Sequence, residues 1–367
     1  MNILILGEYS GFTKNLVKGL KGISSANIVI FANKDGFKSI TQDAKTYSYK
    51  SAKNISILGK EIKKTYLFSA FAEFIKFKKD IKQYESYFDV VFILNPEFVR
   101  PNYCVIPLFS TKDIDYVKKK DAKVYLSACG LDSVFLSFLK QTNDFSYSYL
   151  ENIYQGRFFA TQNRIALEYV DYIIPVTAYY AEAYANSFVA NKVLRTIPLP
   201  FDIDSVEYTE NTVKDKVTIF NGVLQNYKGA EYVERALAVI QNKYKDRIEI
   251  INERMPYAEF LKCLGNINIY IDQCSLHHGM AALISMSAGC VTFTGSSENE
   301  EKVFNYSPLP VVSIFDNIDE IVEKLDWWIN HPDEFSEQGY KSRKYVETVH
   351  ECNSVAKLFL ETIKQSL

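Results

Sequence analysis

The sequence predicts an α/β protein with two doubly wound domains. Each domain is a parallel sheet wrapped by helices, the two face each other across a cleft, and C-terminal helices follow. Three observations support this. Short β-branched apolar runs, such as Asn2–Leu6 (NILIL), 89–94 (DVVFIL) and 267–271 (INIYI), read as strands buried on both faces, and helical patterns separate them. A chain of 367 residues exceeds what one core usually holds. Finally, Pro198-Leu199-Pro200 coincides with an inversion of charge: residues 1–200 hold 26 Lys+Arg and 18 Asp+Glu, while residues 201–367 hold 16 and 26. The expected units are 1–200, 201–345, and a C-terminal helix over 346–367 that packs back on the first domain.

Taken in order, 2–6 is a strand, and Gly7, Glu8, Tyr9, Ser10 and Gly11 form a loop at its carboxyl end. Thr13 then caps a helix to Lys21, and 28–31 is the next strand. The loop is not a dinucleotide fingerprint, because Tyr9 and Phe12 stand where GxGxxG needs glycine, so a nicotinamide enzyme is disfavoured. Residues 53–87 read as a mostly helical, basic and aromatic segment, with seven Lys against three acids from Lys60 to Lys82. Strands follow at 89–94 and 122–127; Asp132 comes after Gly130 at the end of the second, where a substrate-facing group would stand. A long helix covers 147–169, 171–176 is a strand, and Thr177 caps a helix to Asn186.

The second series opens with strand 217–220, loop 221–229 and helix 230–244. It continues with strand 248–251, helix 257–264, strand 267–271, helix 280–288 and strand 290–293. A polar loop over 294–301, strand 311–314 and helices over 318–330, 332–349 and 354–366 complete it.

The stretch 272–301 (DQCSLHHGMAALISMSAGCVTFTGSSENEE) organises this half. Its helix carries no charged face, which predicts burial, and Gly289 can end it in a left-handed conformation. A helix start offers unpaired N–H groups and the positive end of the peptide dipoles. Gly279 leaves that start open, and no acid lies between Leu276 and Glu298, so the pattern suits an anion at the carboxyl ends of the strands. A helix that merely packs between two strands would give the same local pattern.

Three passages then carry a family resemblance: FNGVLQNYKGAEYVERAL, MPYAEFLKCLGNINIYIDQ and HHGMAALISMSAGCVTFTGSSENEE. Together they resemble the group 1, family 4-like glycosyltransferases of the GT-B fold, of the bacterial surface-polysaccharide type. The resemblance covers 217–301. It implies transfer of a sugar from a nucleotide-diphosphate donor to a glycan or lipid-linked acceptor, with retention of configuration and without a metal or other cofactor. Lys228 would then hold the diphosphate as a point charge. Gly222 and Gly229 would allow close backbone approach. Arg254, Met255 and Tyr257 would lie beside the base or ribose. Gly279, Met280 and Ala281 would present helix-start N–H groups to the phosphates, Asp272 would belong to the donor site, His278 would contact phosphate or sugar, and Glu298 and Glu301 would lie near the sugar or ribose. Gly7, Glu8, Tyr9, Ser10, Gly11 and Asp132 would face the acceptor.

The chain also departs from that family. Aligned on Gly289, the family's two glutamates fall at Leu276 and Ile284, and its diphosphate-binding arginine falls at Val223. An apolar side chain cannot hydrogen-bond a hydroxyl. A non-catalytic accessory or sugar-nucleotide-binding subunit of the same fold is therefore the alternative reading.

The remaining features bound the setting. Six scattered cysteines without a CxxC suggest a reduced, cytoplasmic protein. No secretory signal, membrane span or nucleic-acid motif is read. The basic aromatic stretch 60–82 suits an anionic membrane surface, hence a peripheral position at the inner membrane, and equally a helix covering the sheet.

Overall fold

In the computed structural model the described residues are 1–33, 44–47, 55–57, 60–62, 67–99, 109–154, 157–253 and 255–366. The first lobe alternates strands and helices in the order β1 Asn2–Leu6, α1 Phe12–Ile23, β2 Asn27–Asn33, β3 Lys45–Tyr47, β4 Ile55–Ile57, β5 Lys60–Ile62 and α2 Leu67–Ile81. It continues with β6 Phe88–Ile93, α3 Thr111–Val117, β7 Lys118–Ala128, α4 Ser133–Gln141, α5 Ser146–Tyr154, α6 Arg157–Tyr169, β8 Tyr172–Pro175 and α7 Ala178–Ala185. The second lobe runs β9 Val217–Asn221, α8 Ala230–Tyr244, β10 Ile248–Ile251, α9 Tyr257–Cys263, β11 Ile269–Ile271, α10 Met280–Ala288, β12 Val291–Thr294, α11 Glu298–Phe304, β13 Val312–Ser313, α12 Ile318–Asn330 and α13 Glu334–Tyr345. A π-helical turn, Val346–His350, leads into α14 Cys352–Ser366.

Each lobe carries one parallel sheet. The first has the order β3-β2-β1-β6-β7-β8 and the second β10-β9-β11-β12-β13. Central strands are buried on both faces: Leu4 pairs with Val29 and Val91, and Tyr270 with Phe220 and Thr292. The strand order reverses between β1 and β6 in one lobe and between β9 and β11 in the other. These are the positions where an open α/β sheet leaves a crevice beyond its strands' carboxyl ends.

The chain crosses between lobes twice, and the crossings are hydrogen-bonded to each other. Phe201 N–H donates to His350 O at 2.7 Å, and Cys352 N–H donates to Phe201 O at 2.9 Å. Beyond this point α14 lies on the first lobe. Phe359, 1 % exposed, meets Phe92 with ring centroids 4.8 Å apart, and the Tyr125 hydroxyl lies 2.8 Å from Ser366 Oγ. Gly19 lets α1 and α14 touch, since a Cβ there would fall 2.0 Å from Cys352 O.

Several local expectations are corrected. Helix α1 starts at Phe12 after Gly11 in the left-handed region (φ 95°), and the Thr13 hydroxyl donates to Gly7 O instead of capping. Residues 53–87 are not mostly one helix: Lys60–Ile62 pairs with Ile55–Ile57 in a hairpin, and the helix is Leu67–Ile81. The helix expected over 147–169 is two helices. The expected polar loop 294–301 contains the start of α11, because Ser297 accepts from Glu300 N–H and caps it.

Replacing Phe359 with Ala leaves a cavity under α14 and is expected to cost about 3–5 kcal/mol. Urea unfolding checks this, and a loss below about 1 kcal/mol would show that α14 is not part of the first lobe's core.

Candidate functional site

The two switch points face each other across a cleft of about 620 Å³. The first lobe lines it with Tyr9, Ser10, Glu97, Gly130, Thr177, Tyr179 and Tyr180 among others; the second contributes Lys228, Asp272, Gln273, Leu276, His277, His278, Gly279, Met280 and Ala281.

Helix α10 opens into this cleft. Its cap residue Gly279 has no side-chain capping bond, and a Cβ added there would meet nothing within 4 Å. The helix start is therefore open, with first-turn N–H groups of Met280 and Ala281 toward the cavity residues. One acid does stand close: Asp272, 1 % exposed, accepts from Gly279 N–H at 3.4 Å through Oδ2. Gly289 ends α10 with φ 98°, as its sequence position predicts. Lys228 enters from the short turn after β9, anchored by Cys274 N–H donating to Lys228 O at 2.9 Å. An open helix start and a lysine lining one cleft can hold a phosphate between them.

Two histidines precede that start and do different work. His277 Nδ1 lies 2.9 Å from Glu300 Oε2, and the same oxygen accepts Ala178 N–H from the first lobe at 2.6 Å. Glu300 is fully buried, and its Oε1 has no partner among the described residues. His278 belongs to a buried chain of polar groups. Its Nε2 lies 3.3 Å from the Tyr345 hydroxyl, which lies 3.2 Å from His350 Nε2, and His350 Nδ1 donates to Leu199 O at 2.9 Å. With His350 Nδ1–H on Leu199 O, the proton order along these contacts has His278 Nε2–H donating to Tyr345 and Tyr345 O–H donating to His350. His278 Nδ1 is then an acceptor without a partner among the described residues. That nitrogen is buried, so the phosphate or sugar contact expected of His278 is not offered through it in this structure. Burial first, then the neighbouring His350, pushes His278 down to about 3; burial pushes His350 down to about 4. Both rings are neutral at pH 7.

Of the expected donor residues, Lys228, Asp272, His278, Gly279, Met280 and Ala281 meet at the cleft; on the acceptor side, Tyr9 and Ser10 do. The others serve the fold in the structure. A Cβ at Gly222 would meet the Tyr270 hydroxyl at 2.5 Å, one at Gly229 would meet Cys274 at 2.7 Å, and one at Gly7 would meet Phe98 at 2.4 Å. Glu301 accepts from Ser307 and Leu309 N–H, and Glu298 pairs with Lys302 on the surface. Met255 contacts Cys263, and Tyr257 stands at the start of α9. Glu8 caps the start of α1 through Gly11 and Lys14 N–H, and Gly11 is that helix's cap residue. Asp132, fully buried, caps α4 and accepts from the Tyr184 hydroxyl at 2.8 Å; burial pushes its carboxyl up to about 6. Arg254 lies outside the described residues. Sequence reasoning missed Glu300, Glu97, Gln273, Tyr179 and Tyr180. Glu97 accepts from the Tyr9 hydroxyl, and Gln273 donates to His277 O. The serine three positions before Glu300 signals a helix start there, but a capping box would turn this carboxylate back to Ser297 N–H, whereas it reaches Ala178 N–H and His277.

The family's glutamate positions are also placed. Leu276 lines the cleft, whereas Ile284 and Val223 pack inside the second lobe, Val223 fully buried. Among the described residues no cluster of three or more His, Cys, Asp or Glu side chains could hold a metal ion, and no helix is long and apolar enough to cross a membrane.

No protein-family model matches the sequence, and no curated protein matches it. Solved structures match the whole fold. Sucrose-phosphate synthase from Thermosynechococcus elongatus aligns with a TM-score of 0.64 at 12 % identity, over 100 % of this chain and 99 % of that one. Anabaena Alr3699/HepE in complex with UDP-glucose aligns at 0.61 and 10 % identity over all of both chains. UDP-GlcNAc 2-epimerase from Neisseria meningitidis bound to UDP-GlcNAc aligns at 0.54 and 12 % identity, again over all of both. The architecture is GT-B: two Rossmann-like lobes with C-terminal helices.

The buried histidines give a pH signature. Their folded values lie below the unfolded one, so between about pH 6.5 and 4 the unfolded chain binds protons that the native chain does not. Stability falls as pH falls through that window, by about 1.4 kcal/mol per pH unit for each histidine. Urea midpoints measured from pH 7 to 4.5 check this, with His350→Asn expected to flatten the slope.

Proposed function

We propose that the chain is a glycosyltransferase that moves a sugar from a nucleotide-diphosphate donor to a glycan or lipid-linked acceptor. The observation that carries the reading is the open start of α10 and Lys228 lining the same interlobe cleft. The diphosphate would lie on the N–H groups of Met280 and Ala281, with Lys228 countering its charge. The sugar and acceptor would lie toward Tyr9, Ser10 and the tyrosines of α7. Fold neighbours carrying UDP-glucose and UDP-GlcNAc are consistent with this ligand class. A bacterial surface glycan is the proposed product class, and no resident metal or cofactor is invoked. A second reading, a non-catalytic nucleotide-sugar-binding subunit, is favoured by Leu276 standing in the cleft where the resembled family has a glutamate.

Thermal shift with UDP-, GDP-, TDP- and ADP-sugars is expected to show stabilisation by one of them. Lys228→Ala should weaken that binding by about ten-fold or more, the scale of one charge-assisted bond. No stabilisation by any nucleotide sugar removes the reading; binding without turnover selects the accessory subunit.

A lipid-linked acceptor implies access to a membrane surface. On α2, Phe71 and Ile75 are each 54 % exposed and four residues apart, with Lys76 and Lys79 nearby in sequence. Flotation with vesicles containing anionic lipid is expected and should be lost on K76E/K79E. Flotation unchanged by that pair assigns α2 to covering the sheet.

A further inference from the structure

We propose that His277, held by Glu300, takes the proton from the attacking acceptor hydroxyl, and that transfer is a single displacement inverting the anomeric centre. This rests on the donor reading above and adds to it a reacting residue and a stereochemical outcome opposite to the retention implied by the family resemblance.

The geometry is that of an oriented base. A carboxylate only accepts, so the 2.9 Å contact with Glu300 Oε2 places the hydrogen of His277 on Nδ1. Nε2 is left with its lone pair, and no hydrogen bond is made to it among the described residues. The His277 side chain is 6 % exposed and lines the cleft two residues before the open helix start. An imidazolium formed there would be paired with a fully buried carboxylate, the arrangement that makes a histidine an effective base.

The two carboxylates that line the cleft are already engaged. Asp272 accepts from Gly279 N–H at the helix start, and Glu97 accepts from the Tyr9 hydroxyl. Retention by double displacement would need one of them as the nucleophile, and retention by front-side attack would send the acceptor proton to the leaving phosphate; a histidine base that takes it instead goes with attack opposite the leaving group and inversion. In the proposed step the acceptor O–H bond breaks and its proton goes to His277 Nε2. The acceptor oxygen bonds to the anomeric carbon from the face opposite the leaving group. The bond from that carbon to the β-phosphate oxygen breaks, and its electron pair leaves with the nucleoside diphosphate, whose charge Lys228 and the start of α10 receive. The imidazolium then returns its proton to water.

Glu300 also ties the lobes together through Ala178 N–H at 2.6 Å, so a purely structural latch must be separated from a base. His277→Gln removes the base and keeps a side chain that can reach Glu300. Glu300→Gln keeps an acceptor for Ala178 N–H and removes the charge. The assay uses whichever nucleotide sugar of the panel stabilises the chain, with methanol as surrogate acceptor so that the anomer is trapped as a stable methyl glycoside and read by NMR. The wild-type chain is expected to give the inverted glycoside. His277→Gln should lower kcat by about 100-fold or more and abolish the acidic limb of the pH–rate profile, with donor affinity within about two-fold of wild type. Glu300→Gln should lower kcat with the same unchanged affinity. A retained anomer, a His277→Gln rate near wild type, or donor binding without any methyl glycoside overturns the assignment while leaving the donor reading intact. Failure of every nucleotide sugar to bind overturns the donor reading, and this inference with it.

Discussion

The molecule depends on one short hydrogen-bonded crossing. Phe201 meets His350 and Cys352 where the chain passes from the first lobe to the second and returns. That junction fixes the hinge edge of the cleft, since His350 also receives the polar chain from His278 and donates to Leu199. The residues just before α10 are thus connected through two side chains to the segment about which the lobes would swing.

Buried charge is used sparingly and always against a partner. Asp132 is spent on a helix start and a tyrosine, while Glu300 is placed where one oxygen meets both lobes. Enclosing a carboxylate is costly unless donors surround it, and Glu300 keeps one oxygen without a partner among the described residues. In the first lobe the acids near the loop after β1 solve local backbone problems. In the second, the acid on α11 joins His277 to the first lobe's Ala178 N–H. The distinction lies in which donors each carboxylate can reach, not in its spacing along the chain.

Much of the architecture was legible in the sequence. Helix α10, its opening Gly279 and its closing Gly289 lie where the apolar pattern placed them, because a helix buried on all sides leaves little choice of residue. The parallel strands were equally visible as continuous apolar runs. Legibility failed where one residue type has two uses. Gly7, Gly222 and Gly229 signalled close approach correctly, but the approaching groups belong to the protein. Glu298, Glu300 and Glu301 are indistinguishable by composition, and only the rotation of α11 from its cap at Ser297 sends Glu300 inward. Likewise, the basic stretch before residue 82 could not reveal that a hairpin interrupts it, since lysine and aromatic residues fit either element.

The packing of α14 against α1 has a consequence for biosynthesis. Residues 352–366 leave the ribosome only after the entire second lobe, yet they cover Gly19, Phe92 and Tyr125 of the first. The first lobe therefore emerges with an uncovered apolar flank and keeps it throughout elongation of the second. The final packing of the first lobe thus waits for the last helix to be made.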